Sequence, residues 1–435
     1  MKDAQVVVPQ SSPSMNWQKW KLSHAFKLIG SGTTPTTSVT SYFQGEIPWL
    51  NTGDLNDGFI ISIGKFVSEQ ALKDFSALNI YPENSLVIAL YGATIGKLGI
   101  LRFNACVNQA CCVLAEPRAL DTKFTFYWLT SERRNIIELA RGGGQPNISQ
   151  EIVKQLRVLA PSLEEQKEIA TFLDRKTAAI DTLIAKKQRL IELLEEKRAA
   201  LINQAVTKGL NPDVPMKDSG VPWIGEISEH WTVSKPKYLT KRIVDGTHHT
   251  PEYVDEGVPF LTVKNLTAGF GIDFSEVKYV TEEAHIELCK RANPETGDLL
   301  VTKDGTLGVV RVIEDEREFS IFVSLALVKP IHKKIDPYFL RYVLESKTVF
   351  DQFQAWKAGS ALKHIHLVDL SNVLIPLPPI EEQKEIAAEL KTRINHYQST
   401  EERVFTQIER LQEYRQSLIT AAVTGKLEVP VDERA

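Results

Sequence analysis

The stretch PSLEEQKEIA at positions 161–170 returns almost unchanged at 378–387 as PPIEEQKEIA. The run from Glu164 to Ala170 matches the run from Glu381 to Ala387 at an offset of 217 residues. Ala205-Val206-Thr207 matches Ala422-Val423-Thr424 at the same offset, so the two copies have equal length throughout. Each copy begins after a proline and closes on a glycine, Gly209 or Gly425, a good helix stop. Between these limits the apolar positions recur at steps of three and four. In the second copy they run through Ile386, Leu390, Ile394, Tyr397, Glu401, Val404, Ile408, Leu411, Arg415, Leu418 and Ala422, nearly a heptad seam. The first copy repeats the seam from Ile169 to Ala205, with polar breaks at Thr177, Lys187 and Arg198. The spacing predicts one long helix per copy, each with a single apolar stripe. At 1.5 Å per residue, ~45 residues make a rod longer than a small domain is wide, so each stripe calls for a partner helix. An antiparallel pair related by a pseudo-twofold axis accounts for the equal lengths and would act as a ruler between two globules. If that axis passes through the midpoint of 162–209, Lys187 faces Glu401 and Ile184 faces Val404. On this reading the end of the first helix, near 206–208, is exposed. The alternative is two separate helices, each packed on its own globule.

The remainder of the chain is also written twice. GEIPWLNTGDLNDGFI from Gly45 aligns with EGVPFLTVKNLTAGFG from Glu256, and ENSLVIALYGATIGKLGILR from Glu83 with TGDLLVTKDGTLGVVRV from Thr296. RGGGQPNISQEIVKQLRVLAPSLEEQ from Arg141 aligns with KAGSALKHIHLVDLSNVLIPLPPIEEQ from Lys357. The offset drifts here, so loops differ while the scaffold persists, in a unit far longer than a solenoid repeat. Short β-type runs such as SLVIALYG, DLLVTKDG and FVSLALVKP alternate with Gly, Pro and Asn turns and a few short helices. The expected fold is α+β. Two tandem α/β domains are separated by a pair of long helices forming an antiparallel coiled coil, in an internal pseudo-twofold duplication. The expected boundaries are a loose tail at 1–15, a first domain at 16–160, a helix at 161–210, a second domain at 211–377, a helix at 378–427 and a tail at 428–435.

A chain of 435 residues exceeds one core. No apolar run approaches the ~18–20 residues that span a bilayer, and the N-terminal apolar stretch is too short for a signal peptide. Cys106, Cys111, Cys112 and Cys289 have no paired C-x-x-C spacing and read as reduced core residues of a cytoplasmic protein. Adjacent Cys111 and Cys112 should point to opposite faces of a strand. The net charge of −4 argues against a generic basic DNA coat. It is uneven: 15 Lys+Arg against 12 Asp+Glu over 1–160, and 19 against 24 over 211–377. Catalytic signatures are missing. GATIGKLG has the wrong spacing for a phosphate loop, and neither H-E-x-x-H, G-x-S-x-G nor an NPPY-type tetrapeptide occurs. The His pairs His248-His249 and His364/His366 have no third ligand at a metal spacing.

Four polar loops stand at matched places in the two halves: GSGTTPTTS with DGTHHTPEY, WLNTGDLN with LTVKNLT, LYGATIGK with TKDGTLG, and GGGQPN with GSALKHIH. Their Thr, Asn, Gln, His and Lys side chains bond phosphates and base edges, and they differ between copies. The order SGTTP, IPWLNTGDL, LVIALYGATIGKLG, VNQACCVL, GGGQPNIS, LAPSLEEQKEIA resembles the specificity subunit of type I DNA restriction–modification systems. MKDSGVPWIGEISEHW, LPPIEEQKEIA and AAVTGKL resemble that family's second half, so the likeness runs from about Trp17 to Leu427. The resemblance implies two target recognition domains reading the two halves of a bipartite, asymmetric site in double-stranded DNA. It implies a non-catalytic subunit without cofactors of its own, working in phage defence. Its partners would be two methyltransferase subunits, which use S-adenosylmethionine to modify adenine N6, and restriction subunits, which use ATP and Mg. The implied DNA-binding residues of the first half are Thr33, Thr34, Thr36, Asn51, Thr52, Tyr91, Thr94, Lys97, Asn108, Gln109, Gln145 and Asn147. Those of the second half are Thr247, His248, His249, Lys264, Asn265, Lys303, Thr306, Lys363, His364 and His366. The likeness breaks at Asn108-Gln109, where the second half has Ile321-Phe322. The rival reading is a coiled-coil scaffold whose globules bind proteins, which calls for apolar anchors in these loops.

Overall fold

The computed structural model describes residues 16–139, 147–267, 271–356 and 363–429. The chain divides into two compact units, one formed by 1–187 with 406–435, the other by 188–405. The long helices Leu163–Lys208 and Ile380–Val423 each contribute to both units. Among the described residues no helix is long and apolar enough to cross a membrane.

The first unit holds a five-stranded sheet in the order Phe26–Ser31, Cys111–Pro117, Leu86–Ala89, Leu98–Leu101, Gly58–Ile60. Beside it lies a three-stranded sheet, Phe66–Val67, Ile47–Leu50, Cys106–Val107. The second unit repeats both, with four of the five strands of the larger sheet matched among the described residues. Its larger sheet runs Thr240–Asp245, Leu325–Pro330, Leu299–Thr302, Val310–Val312, and its smaller one Lys278–Val280, Val258–Leu261, Ser320–Ile321. In each small sheet the middle strand pairs antiparallel on one side and parallel on the other. The duplication seen in the sequence is therefore a duplication of topology. Leu86–Ala89 and Leu299–Thr302 are buried at every position, because cores cover both faces of the sheet. Cys111 and Cys112 show the two faces: Cys111 packs under the small sheet, Cys112 in the core shared with the long helices. Burial pushes both thiols up to about 12, which keeps them protonated and inert.

The glutamine of EEQKEIA explains why the motif is repeated. Gln166 is fully buried; its Nε2 donates to Ala119 O (3.1 Å) and Pro161 O (2.9 Å), and its Oε1 accepts from Asp121 N (2.8 Å). Gln383 does the same with Lys334 O (3.2 Å), Pro378 O (2.9 Å) and Asp336 N (2.9 Å). Each glutamine thus joins the start of a long helix to the turn that opens an earlier helix, Thr122–Leu139 or Pro337–Glu345. Asp121 and Asp336 cap those helices, accepting from Lys123 N and Phe124 N and from Tyr338 N and Phe339 N. The polar backbone of a buried turn is satisfied in this way.

Within each unit the helices run antiparallel. In the first, Arg415 Nε donates to Asp181 Oδ1 (2.8 Å) and Lys187 Nζ to Gln407 Oε1 (2.6 Å). In the second, their counterparts Arg198 and Gln398 line one pocket. The expected facing of Lys187 with Glu401, and of Ile184 with Val404, is corrected: Lys187 reaches six residues further along, and Glu401 lies among the charges of Arg198 and Glu195. The midpoint rule assumed that each helix pairs over its full length. Instead the opening turns, with Ile169 and Phe172 or Ile386 and Ala387, belong to the core of the preceding globule. The end of the first helix is likewise not exposed. Ala205, Val206 and Thr207 are 2%, 0% and 3% exposed, and the first two join Trp231 in the second core. Gly209 and Gly425 take φ of 80° and 72° at the helix ends, each against a tryptophan, Trp231 or Trp17.

Candidate nucleic-acid interface

In the first unit, backbone hydrogen bonds gather four loops at one edge of the sheets. Asn108 N donates to Leu50 O (2.9 Å), Leu90 N to Ala110 O (2.8 Å) and Ile148 N to Leu90 O (2.8 Å), while Tyr91 bridges to Asn147. The loop after Ser31 crosses directly over Val107, where a Cβ on Gly32 would sit 1.7 Å from Val107 O. Only glycine fits. Trp49 Nε1 holds Thr33 O (3.1 Å), and Thr34 Oγ1 donates to Gln109 Oε1 (2.7 Å). Tyr81 props the same loop from below through Ser31 O (2.7 Å), its phenol pushed up to about 12 by burial.

These contacts separate the residues singled out by sequence. Asn51 accepts from Gly53 N (2.8 Å) and Asn108 from Ala110 N (3.1 Å), so both shape turns. Thr33, Thr34, Thr52 and Thr94 are half-buried, whereas Thr36, Tyr91, Lys97, Gln109 and Asn147 are exposed. Gln145 lies outside the described residues.

The second unit repeats the gathering with different chemistry. Gly246 passes over Ile321 as Gly32 passes over Val107, its Cβ position 2.0 Å from Ile321 O. Val323 N donates to Thr247 O (2.9 Å), Lys303 N to Ser324 O (2.9 Å) and Ile365 N to Lys303 O (2.9 Å), and Asp304 bridges to His364. Asp245, 4% exposed, lies at the centre. Its carboxylate pairs with Arg291, with Lys303 (3.4 Å) and with His248 (3.2 Å). Burial alone pushes the Asp245 carboxyl up, but the hydrogen bonds from Arg291 and His248 and the charge of Lys303 outweigh it and hold its pKa below the ordinary range. Lys303 also reaches Asp304 (3.7 Å), which pairs with His364.

Of the second-half residues, His248, His249, Lys264, Thr306, Lys363, His364 and His366 are exposed. Three are engaged in internal contacts. Asn265 is 6% exposed, accepts from Thr262 N (2.9 Å) and donates to Asp273 O (3.0 Å), closing its own loop. Thr247, 5% exposed, turns the chain by donating to His249 O (3.1 Å). Lys303 is held within the ion network. Asp245 and Arg291 were missed by sequence. Arg291 stands after a helix, outside every polar loop, and nothing short of the fold brings it to the site. At the break in the family likeness, Ile321 is 2% exposed and Thr247 bridges to Phe322. Among the described residues no group of three or more His, Cys, Asp or Glu could hold a metal.

Two copies of one scaffold, each displaying its own set of polar loops at one sheet edge, define a protein built to make two different polar contacts. The chain belongs to the family of the type I restriction modification DNA specificity domain, whose sequence model matches residues 15–193 and 240–410. It is similar to the type I restriction enzyme MjaVIII specificity subunit of Methanocaldococcus jannaschii, 24% identical over 422 residues that cover 95% of this chain and 93% of that one. It is also similar to the EcoBI specificity subunit of Escherichia coli, 27% identical over 360 residues, 80% of this chain and 74% of that one. Among solved structures, a chain of a type I R-M system studied for complex assembly matches with a TM-score of 0.73 at 17% identity, covering 96% of this chain and all of that one. The HsdS subunit from Thermoanaerobacter tengcongensis matches with a TM-score of 0.53 at 17% identity over 96% of this chain and 99% of that one. At such identity these two likenesses speak for the fold.

Proposed function

We propose that this chain is the non-catalytic specificity subunit of a type I restriction–modification complex, directing methyltransferase and restriction subunits to a bipartite, asymmetric DNA site. The observation that carries the reading is the pair of loop clusters on a shared topology, one built on Thr34, Gln109 and Tyr91, the other on Asp245, Lys303 and His364. Same scaffold with different side chains is what two different half-sites require. The exposed loop positions are mostly polar, which favours nucleic acid over the protein-binding scaffold. The methyl donor S-adenosylmethionine, and ATP with Mg, belong to the partner subunits on this reading. With a net charge of −4 the isolated chain binds DNA weakly and in a salt-sensitive way, since the partners supply much of the phosphate contact.

The test is co-expression with the cognate methyltransferase subunit, followed by mapping of methylated adenines across a genome. The expected result is one motif in two parts separated by a fixed unspecified spacer. A single contiguous motif, or methylation independent of this chain, overturns the reading. Nanomolar specific binding by the isolated chain at physiological salt counts against it as well.

A further inference from the structure

A cleft of about 700 Å³ opens in the second unit between the turn Thr247–Glu252 and the helix Glu282–Cys289 with its following residues. Arg291 closes one end. Its Nε donates to Asp245 O and Gly246 O (both 3.1 Å) and its Nη2 to the Asp245 carboxylate. His248 Nε2 lies 3.1 Å from the same Nη2. The inner edge of the guanidinium is thus fixed by three oxygens of the buried Asp245–Gly246 turn. Among the described residues Nη1 has no hydrogen-bond partner, and half of the side chain, 51%, is exposed. With His248 Nε2 donating to the Asp245 carboxylate, it does not accept from Nη2, and the outer Nη1/Nη2 edge is a pre-set fork.

Such a fork fits either a phosphate or the O6/N7 edge of guanine. The rest of the cleft decides between them. Exposed Glu252 and Glu287 stand on its two walls, Glu287 paired with Lys290, and among the cleft's lining residues Arg291 is the single Lys or Arg. The Glu252 carboxylate repels a phosphate but tolerates, and can accept from, the amino groups of a base edge. The cation is also already paired with the Asp245 carboxylate, shared with Lys303, which Asp304 pairs in turn, and this favours directional hydrogen bonds over net attraction for an anion.

We propose that Arg291 is a base-reading residue of the second recognition surface, contacting a guanine through Nη1 and Nη2 in the major groove, with Asp245 as its positioning residue. The inference rests on the DNA-specificity reading above and sharpens it to one base pair. Removing a bidentate Arg–guanine contact relaxes discrimination at one position by about 10- to 100-fold.

The experiment compares the wild-type complex, containing the methyltransferase subunits, with complexes carrying Arg291→Ala and Arg291→Lys, read by methylome sequencing. Wild type reports on the function itself: a bipartite motif must appear before the variants mean anything about Arg291, and its absence sinks the parent reading instead. Given that motif, both variants should accept bases other than guanine at one position of one half-site, with the other half-site unchanged. Lysine keeps the charge but not the fork, so it should not rescue. An unaltered motif methylated uniformly less in Arg291→Ala and normally in Arg291→Lys identifies a phosphate contact and overturns the proposal. An unaltered motif at full level overturns it too. Thermal unfolding of each variant guards against misfolding. If Arg291→Ala unfolds, Arg291→Lys alone decides: relaxed guanine choice supports the proposal, an unaltered motif ends it.

Discussion

Gln166 and Gln383 are the residues on which the repeated motif turns, and their value is in what they satisfy. Each accepts from one N–H and donates to one carbonyl of the turn that opens an earlier helix, and donates also to the carbonyl of Pro161 or Pro378 at the start of its own helix. Replacing either by leucine leaves those groups unpaired, at roughly 1–3 kcal/mol for each group left buried. Gln166→Leu and Gln383→Leu should each lower the unfolding midpoint in urea markedly, and an unchanged midpoint would show that the turns rearrange freely. Glu401 presents the opposite case. It is 6% exposed, its Oε1 has no hydrogen-bond partner among the described residues, and burial, opposed by Arg198 and reinforced by Glu195, raises its pKa. An acid whose folded pKa lies above its unfolded value favours the folded state at low pH, and that contribution is lost as pH rises through the folded value. Glu401→Gln, neutral throughout, should therefore raise the melting temperature near pH 7.5. The gain should shrink as pH falls into the ordinary carboxylate range; a gain independent of pH would rule out the charge as its cause. From the sequence alone both residues looked like seam or motif letters. Their roles depend on carbonyls and charges brought close only by folding.

At the scale of elements, the long helices were legible because a 217-residue offset without gaps leaves no other reading, and the polar-rich strands' turns were marked by glycines. The register of the helix pair was not legible. Periodicity fixes which face of a helix is buried, but not which turns pack on a globule and which on the other helix. The same ambiguity hid the burial of the first helix's end. Ile202, Ala205 and Val206 lie in one core with Trp231 and Leu239, and Asn203 Oδ1 accepts from Thr348 N (3.1 Å) and Thr348 Oγ1 (2.8 Å). Were the helix end near 206–208 exposed, as read from the sequence, four residues inserted there would lengthen the ruler without touching either domain. The structure reverses that expectation. Four residues advance a helix by about 400°, some 40° past a full turn, and push Trp231 and Gly209 away from their packing. The variant should be strongly destabilised or insoluble, as circular dichroism and a thermal melt would reveal. A variant that melts like wild type would mean this helix end contributes little to the second core.

For the whole molecule, the decisive property is that each recognition surface is completed within one unit. The loops around Gln109 are held by strands of the first unit and those around Asp245 by strands of the second. Exchanging the first domain for that of a relative should therefore rewrite one half of the methylated motif and leave the other half unchanged. The strand pairing fixes where to cut. Strand Gln18–Lys21 pairs with Arg157–Ala160, residue Gln18 opposite Ala160, so a cut at 155 would divide a two-stranded sheet between two parents. Trp17 packs where Gly425 ends the second long helix, so it belongs with that helix. Gln166 must also find the two carbonyls and the amide of its turn, and Ala119 and Asp121 come from the exchanged segment. The exchange should thus span 18–160, from a donor that keeps an Asp cap at the turn facing Gln166. Methylome sequencing of this chimera with the methyltransferase subunit should return a new first half-site, the old second half-site and the old spacer. A chimera cut at 155 should be less stable, by the loss of strand register. Simultaneous change of both half-sites in the well-cut chimera would mean that the two surfaces read DNA jointly, and modular specificity would have to be abandoned.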